Sequence, residues 1–217
     1  MFCEKYEVEF QNSDLSVNYP KDILKKLDHF ILNELTQGYE YLNPYKFAFD
    51  YDLSDEHSIK LFLFFTEKDK LFQIEPFVDC PNCTGVRLSL STEELIDEEI
   101  VNCDECHKEY NINILKKHLY LYFKLNDSLL PLQSNLSNKG FDPHSTFEIF
   151  QRLNDNLKAE SPSSSKDSKY IDAGETKSGV SFDEIAKNNI DSKGKPISFS
   201  TTEMTKRLMD IMMDEAI

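Results

Sequence analysis

The chain has 217 residues, of which 40% are hydrophobic and 12% aromatic, and its formal net charge is -15. A chain of this composition can bury a core, which excludes a wholly disordered protein. Only six glycines are present, which argues against a glycine-rich phosphate-binding loop. The acidic balance also disfavours nucleic acid as a partner, because like charges repel at long range.

Hydropathy and cysteine usage indicate a cytoplasmic protein. The sequence has no run of about 18 apolar residues that could cross a bilayer, and its charged first residues do not resemble a signal peptide. Thiols stay reduced in the cytoplasm. Four of the five cysteines form two close pairs, which there favours a bound metal over disulfides. Cys3 stands apart and is expected to be a small buried side chain.

Hydrophobic periodicity predicts a strand and then a helix in the first 40 residues. Residues 5–10 alternate, with Tyr6, Val8 and Phe10 on one face, as in a half-buried strand. Apolar residues then recur at helical spacing over residues 20–37, and Gly38 follows as the stop signal.

Three more strands are predicted before the cysteines. Residues 45–51 alternate between apolar and polar side chains, and residues 59–65 are apolar on both faces, as in a central strand. Residues 71–78 contain Pro76, which suits an edge strand or a strand end. The short polar connections between these segments favour an antiparallel meander.

Beyond the cysteines, alternation over residues 118–125 predicts another strand, and apolar spacing predicts a helix over residues 143–157. Residues 161–178 are mostly Ser, Lys, Asp and Gly, which is typical of a flexible linker. Two capping-box spacings then open two helices: Ser181 with Glu184, and Ser200 with Glu203.

These elements predict an α+β fold, with a mostly antiparallel sheet, flanking helices and an inserted four-cysteine module. The predicted organisation is an α+β domain over residues 1–159, with the module inserted at residues 78–112. A linker over residues 160–180 and a C-terminal helical tail over residues 181–217 would follow it.

The cysteines form two CxxC pairs, Cys80 with Cys83 and Cys103 with Cys106, with 19 residues between the pairs. A gap of two residues lets one tight turn present both sulfurs to the same ion, and two such turns complete a tetrahedron. This spacing is typical of a four-cysteine zinc site. The sequence therefore predicts a Zn²⁺ ion bound by all four cysteines.

Residues 78–112 resemble a zinc ribbon, a module of β-hairpins held by four cysteines. Ribbons often carry Gly directly after a cysteine pair, whereas Thr84-Gly85 and His107-Lys108 stand here. The resemblance implies a structural zinc, since four thiolates leave no position open for water. Three alternatives stay open: a redox dithiol at the first pair, a four-thiolate iron site, and His107 as a replacement ligand.

Two surfaces are candidates for binding a protein partner. The last predicted helix, over residues 202–217, is rich in methionine and could dock in a partner's groove or fold back on its own domain. The residues that we expect to make this contact are Met204, Leu208, Ile211 and Met212. The second candidate is the inserted module, where nine acidic and two basic residues lie between Asp79 and Tyr110. This surplus of seven acids is either a solvated face or a docking surface for a basic partner.

One face of the strand predicted over residues 118–125 carries basic side chains beside aromatic rings, and two lysines directly precede this strand. Single-stranded nucleic acids bind such faces by stacking bases on rings while cations hold phosphates. The residues concerned are Lys116, Lys117, His118, Tyr120, Tyr122 and Lys124. The alternative is an ordinary sheet face covered by a helix.

No catalytic residue is predicted, because the sequence has no GxSxG, HExxH, Walker or GxGxxG motif. We therefore expect a non-enzymatic interaction or regulatory subunit of a cytosolic protein complex. The Lys- and Asn-rich composition is typical of low-GC microbes, which suggests by association an accessory or defence system. A nucleic-acid-binding regulator is the alternative. A hydrolase or nuclease would instead reveal itself as a concave cluster of carboxylates or histidines.

Overall fold

The computed structural model describes residues 2–37, 39–67, 70–83, 87–89, 100–103, 105–111, 118–126 and 179–213. The helix predicted over residues 143–157, the linker predicted over residues 161–178, and Gly38, Lys116 and Lys117 lie outside these ranges. No helix among the described residues is long and apolar enough to cross a membrane.

The chain begins with helical turns and not with the predicted strand. A 3₁₀ turn, Glu4–Tyr6, leads into helix α1, Glu7–Gln11. Tyr6 and Phe10 are both buried, while Val8 is 72% exposed. The prediction was wrong because an i, i+4 pair of buried rings on a helix also satisfies a period of two.

Helix α2, Ile23–Thr36, confirms the helix predicted over residues 20–37. A second 3₁₀ turn, Asp14–Asn18, precedes it. The apolar stripe of α2 faces the core, with Ile23, Leu27 and Ile31 at most 1% exposed.

The next two predicted strands are wrong, since both segments form helices. Helix α3, Pro44–Asp50, begins with the Asn43 side chain accepting the Tyr45 N–H at 2.9 Å and with Pro44 at the first helical position. Helix α4, Asp55–Phe64, begins with the Ser54 hydroxyl accepting the His57 N–H at 3.2 Å. Segment 59–65 is buried on both faces, and a fully buried helix has the same apolar pattern as a central strand.

The two longest strands match predictions and pair with each other. Strand β2, Phe72–Asp79, runs antiparallel to β6, Leu119–Leu125, from the pair Phe72–Leu125 to the pair Val78–Leu119. Two short strands, β1 (Tyr41–Leu42) and β7 (Val180–Ser181), pair with β6, and β3 (Arg87–Ser89) pairs with β2. Every pairing is antiparallel, which together with the helices confirms an α+β fold.

Strand β2 is an interior strand, so the expectation that Pro76 marks an edge or a strand end was wrong. Among the described residues β6 pairs along one side of β2, and β3 pairs with Phe77, Val78 and Asp79 on the other. Pro76 lies opposite Leu121 and directly before the stretch that pairs with β3. A proline can occupy this position because its missing N–H is not required by the β3 ladder.

The core lies between the sheet and the helices and is rich in phenylalanine. Phe62 of α4 lies at its centre, with its ring centroid 5.0 Å from that of Phe72 and 5.3 Å from that of Phe123. Phe30 of α2 and Phe47 of α3 complete the cluster around it. This packing joins α2, α3 and α4 to strands β2 and β6.

The C-terminal segment packs into the same core. Helix α5, Phe182–Asn188, and helix α6, Phe199–Met213, follow β7, which spans the boundary predicted between residues 180 and 181. The side chains that join the core cluster are Val180, Phe182, Ile185 and Leu208. The described parts of residues 2–79, 118–126 and 180–208 therefore form one folded unit, which we call the body.

Capping explains where these two helices begin. The Ser181 hydroxyl accepts the Glu184 N–H at 3.3 Å, which confirms the predicted cap of α5. The cap predicted at Ser200 was wrong, because α6 begins at Phe199 and Ser198 accepts the Thr201 N–H at 3.1 Å. Ser198 is fully buried and 2.9 Å from the Thr66 hydroxyl, so the cap also anchors α6 to the end of α4.

Candidate metal centre

The two cysteine pairs lie in the segment between β2 and β6, of which we call residues 80–112 the insert, because Val78 and Asp79 of the predicted module belong to β2. Cys80 directly follows β2. Strands β4, Ile100–Asn102, and β5, Glu109–Asn111, form an antiparallel hairpin, and the second pair lies in its turn. Within this turn the Cys103 N–H donates to the Lys108 carbonyl at 3.0 Å, and the His107 N–H donates to the Cys103 carbonyl at 2.7 Å.

The four sulfurs converge on one point. All four Sγ atoms lie within 4.8 Å of one another. Two of the distances join the CxxC pairs: 3.8 Å from Cys80 to Cys106, and 4.0 Å from Cys83 to Cys103. A disulfide would need about 2.05 Å, and all five cysteines are free thiols.

These distances fit a tetrahedral metal site. A tetrahedron with metal–sulfur bonds of about 2.3 Å has edges of about 3.8 Å between its sulfurs. Cys80 and Cys103 are buried, at 6% and 1% exposure, and Cys83 and Cys106 are half-buried. The four predicted ligands therefore lie together and could hold a metal ion.

Hydrogen bonds surround the sulfurs. The Asn82 N–H donates to Cys80 Sγ at 3.4 Å. The Tyr110 hydroxyl lies 3.5 Å from Cys80 Sγ and 3.6 Å from Cys106 Sγ. Lys108 Nζ, from the second turn, donates to Asn82 Oδ1, in the first turn, at 2.7 Å. The Tyr110 and Lys108 side chains therefore each link the first CxxC turn to the second.

The surroundings of the sulfurs shift the pKa values of the cysteine thiols. Removal from water opposes ionisation of Cys80, but hydrogen bonds from the Tyr110 hydroxyl and from the Asn82 and Cys83 N–H groups outweigh it and lower the pKa of Cys80 to about 6. The pKa of Cys106 is also lowered, because hydrogen bonds from the Tyr110 hydroxyl and the Lys108 N–H outweigh the effect of removing the thiol from water. Burial and hydrogen bonds with other thiols raise the pKa of Cys83 to about 12.

A metal binds thiolates, and the hydrogen bonds to Cys80 and Cys106 favour that form. The pKa of Tyr110 is raised, because its hydroxyl is bonded to Cys80 and is withdrawn from water. Tyr110 therefore keeps the proton that it donates to the sulfurs.

Two of the alternatives fit this geometry less well. A redox dithiol of the thioredoxin kind belongs at a helix N-terminus, whereas Cys80 follows a strand and residues 81–83 contain no helix. His107 is exposed at the hairpin turn with φ at 54° and is not part of the ligand cluster.

The predicted nucleic-acid face does not present Tyr122 for stacking. Tyr122 is only 3% exposed, and its ring lies edge-on to Tyr41 and Phe77, with centroids 5.9 and 5.3 Å away. Gly179 lies so close that an added Cβ would come within 2.6 Å of the Tyr122 ring. Lys124 Nζ lies 3.7 Å from a carboxylate oxygen of Glu75. A nucleic-acid base can stack only on an exposed aromatic ring, so the prediction that Tyr122 stacks on nucleic-acid bases was wrong.

Two of the four residues predicted for partner docking pack against the core of their own chain. Leu208 is 2% exposed within the core cluster, and Met204 packs against that cluster. The fold-back alternative therefore describes this part of α6. The side chains of Ile211 and Met212 lie outside the described residues, so docking through them stays a prediction.

One shallow groove near α4 collects ionisable side chains, as a hidden hydrolytic site would. It is lined by Asp14, Tyr19, Glu56, His57, Lys60, Asp191 and neighbouring residues. Its charges are paired, with Asp14 at 2.6 Å from Lys193 and Glu56 at 2.6 Å from Lys60. Within the described ranges, the four cysteines are the only acidic, histidine or cysteine side chains that bring at least three ligand atoms together.

Comparison with protein-family models, with curated proteins and with solved structures finds no match to this chain. Fold and site therefore define the protein only as a class: an α+β protein with an inserted four-cysteine candidate metal centre.

Proposed function

We propose that this chain is a non-enzymatic protein whose four cysteines hold one structural Zn²⁺ ion in a zinc ribbon. We further propose that the ribbon serves as an interaction module of a cytosolic protein complex. The observation that carries the proposal is the convergence of four sulfurs within 4.8 Å, at distances suited to the edges of a tetrahedron.

The chemistry of the donors favours zinc. Thiolates in a tetrahedral arrangement suit Zn²⁺ or iron, and four-cysteine sites that hold small β modules are typically zinc sites. Four sulfurs fill the coordination shell, which leaves no position to activate water. The ion would therefore serve folding and not catalysis.

The insert needs such an ion. Its β4–β5 hairpin has three residues in each strand, and an isolated two-stranded hairpin is marginal in water. Structural zinc in small modules contributes an apparent binding free energy of about 10–16 kcal/mol at neutral pH. Binding can therefore decide whether the insert folds.

The surface of the insert supports a docking role. Ile100 is 46% exposed on β4. Glu105 and Glu109 are exposed at the turn and on β5, in a segment with a surplus of acids. An exposed apolar side chain on the same hairpin as exposed carboxylates suits a basic partner with an apolar patch. The packing of Leu208 in the body makes the insert the stronger candidate surface.

Metal analysis of the natively purified protein tests the zinc part of the proposal. We expect one zinc per chain in the wild type and in Cys3→Ala, and loss of zinc in Cys103→Ala. The two variants are matched, because Cys3 and Cys103 are both almost fully buried and only Cys103 is in the cluster. A wild type without metal, or Cys103→Ala with a full zinc, would contradict the proposal.

The interaction part needs the whole chain as bait. Removing residues 161–217 would take Phe182, Ile185 and Leu208 out of the core, so such a truncation would test folding and not docking. We propose instead to compare Glu105→Gln/Glu109→Gln with Glu7→Gln/Glu203→Gln, which changes the net charge equally on the exposed surface of the body.

A specific partner should be retained by the wild type and by the Glu7/Glu203 variant. It should be lost with the Glu105/Glu109 variant and with Cys103→Ala, and its retention should weaken as salt is raised. Equal recovery by all four proteins would remove the insert as the docking surface.

A further inference from the structure

Tyr110 occupies a special position in the metal centre. Its hydroxyl oxygen lies 3.5 Å from Cys80 Sγ and 3.6 Å from Cys106 Sγ, and these sulfurs are 3.8 Å apart. The hydroxyl therefore caps one edge of the sulfur tetrahedron. That edge joins the first CxxC pair to the second.

The rest of Tyr110 is fixed by contacts on both sides. Its backbone lies in β5, opposite Val101 of β4. Its ring is partly buried and packs against the hydrophobic core cluster of the body. The hydroxyl is thus held in place by the hairpin register and by the body, and it does not depend on a mobile side chain to reach the sulfurs.

We propose that Tyr110 is a positioning residue of the metal centre, whose single hydroxyl proton is shared between the Cys80 and Cys106 thiolates and holds the two cysteine pairs together against the body. This inference rests on the proposed zinc function. It assigns a role to a residue that is not itself a ligand.

Charge explains why such a donor matters. Four thiolates around one zinc dication carry a net charge of minus two, in a site where Cys80 and Cys103 are buried. Hydrogen bonds to charged acceptors are about twice as strong as those between neutral groups. The Asn82 N–H also donates to Cys80, whereas the Tyr110 side chain, among the described residues, reaches sulfurs of both pairs.

The competing explanation is that Tyr110 serves only through its ring, as a packing contact between insert and body. Tyr110→Phe separates the two roles, because it keeps the ring and removes the hydroxyl. Tyr19→Phe is the matched control: it removes a hydroxyl that donates to the His57 carbonyl at 2.7 Å, in the body.

The first test measures the zinc affinity of the full-length proteins by competition with a chromophoric chelator at pH 7. Loss of a partner that orients metal ligands typically weakens metal binding about 10- to 100-fold. We expect a loss of that size for Tyr110→Phe and a change of less than about threefold for Tyr19→Phe. An affinity of Tyr110→Phe equal to that of the wild type would overturn the inference.

The second test does not depend on affinity. At saturating Co²⁺, the thiolate-to-cobalt charge-transfer band reports the energy of the sulfur lone pairs. A hydrogen bond stabilises those lone pairs, so its loss in Tyr110→Phe should move the band to longer wavelength, while Tyr19→Phe should leave it in place. An unmoved band in Tyr110→Phe would overturn the inference.

The tests also separate this inference from the proposal beneath it. A wild type that binds no zinc refutes both, and that result is seen before any variant is made. Normal zinc binding by the wild type with an unaffected Tyr110→Phe refutes the role of Tyr110 alone.

Discussion

The body and the insert are stabilised by different interactions. In the body, large aromatic side chains such as Phe30, Phe62 and Phe123 are at most 1% exposed and contact one another across helices and strands. In the insert, among the residues whose side chains the structure describes, only Cys80 and Cys103 are buried. Apolar burial can stabilise the body, whereas the proposed metal would stabilise the insert.

This contrast explains why four polarisable thiols are concentrated in so small a segment. In the described part of the insert the hydrophobic effect contributes little, because the described side chains there other than Cys80 and Cys103 are at least partly exposed. A metal that joined the two turns would replace that missing stabilisation. The two regions should therefore respond differently to chelators and to core mutations.

Metal removal should have the largest effect, and it should be confined to the insert. We expect a strong chelator to abolish protection from hydrogen exchange in residues 100–111, since binding contributes on the order of 10 kcal/mol. Strand β6 should keep its protection, because its pairing with β2 and its buried face do not involve the cysteines. Equal loss of protection in both regions would show that body and insert fold as one unit.

A core mutation should have the opposite distribution. Phe62→Ala removes a fully buried ring that contacts rings on four other elements, so we expect a loss of about 3–5 kcal/mol in the free energy of unfolding. Urea denaturation measures it, with and without a chelator. Phe199→Ala is the control, since that side chain is 70% exposed and should change stability by about 0.5 kcal/mol or less.

Two serine substitutions, with a smaller expected effect on stability, test whether α6 is part of the body. Ser198→Ala removes a buried cap and should cost about 1–2 kcal/mol, whereas Ser200→Ala, two residues further on at the exposed surface, should cost about 0.5 kcal/mol or less. Thermal or urea unfolding distinguishes the two. A larger loss of stability for Ser200→Ala than for Ser198→Ala would show that Ser200 caps α6, as the sequence predicted.

The smallest expected effect is a pH dependence within the body. Burial raises the pKa of Glu34 above its ordinary value of 4.5, although the hydrogen bond from Lys46, 2.6 Å away, opposes the shift. The folded state then holds this proton more tightly than the unfolded state. The contribution of Glu34 to stability is therefore fully present below pH 4.5 and lost as pH rises through its folded pKa.

Glu34→Gln removes this titration. The unfolding free energy of the wild type minus that of Glu34→Gln should fall as pH rises from 4.5 and then level off. Urea titrations at several pH values measure this difference. A difference that grows with pH would show that the pairing with Lys46 outweighs burial.

The elements predictable from the sequence are those whose signals are local. Helix α2 has a long amphipathic stripe, and β6 alternates Leu119, Leu121, Phe123 and Leu125 with tyrosines and a lysine. The cysteine cluster follows from coordination chemistry, because a two-residue gap constrains both sulfurs of a pair. The Ser181 cap likewise depends on residues three positions apart.

The errors occur where burial hides periodicity or where distant contacts decide. The end of helix α4, from residue 59 on, is buried on both faces, and its apolar run does not distinguish a helix from a strand. The signals at Asn43-Pro44 and Ser54 were present and mark helix starts more reliably than the apolar runs that follow them. The burial of Leu208 and the reach of Tyr110 to two sulfurs depend on tertiary contacts that no local pattern contains.

The most direct test of the central claim is X-ray absorption at the zinc edge of the full-length, natively purified protein. The account predicts one zinc per chain with four sulfur neighbours at about 2.3 Å and no nitrogen or oxygen in the first coordination sphere. A protein without zinc, or a zinc bound by fewer than four sulfurs, would contradict it.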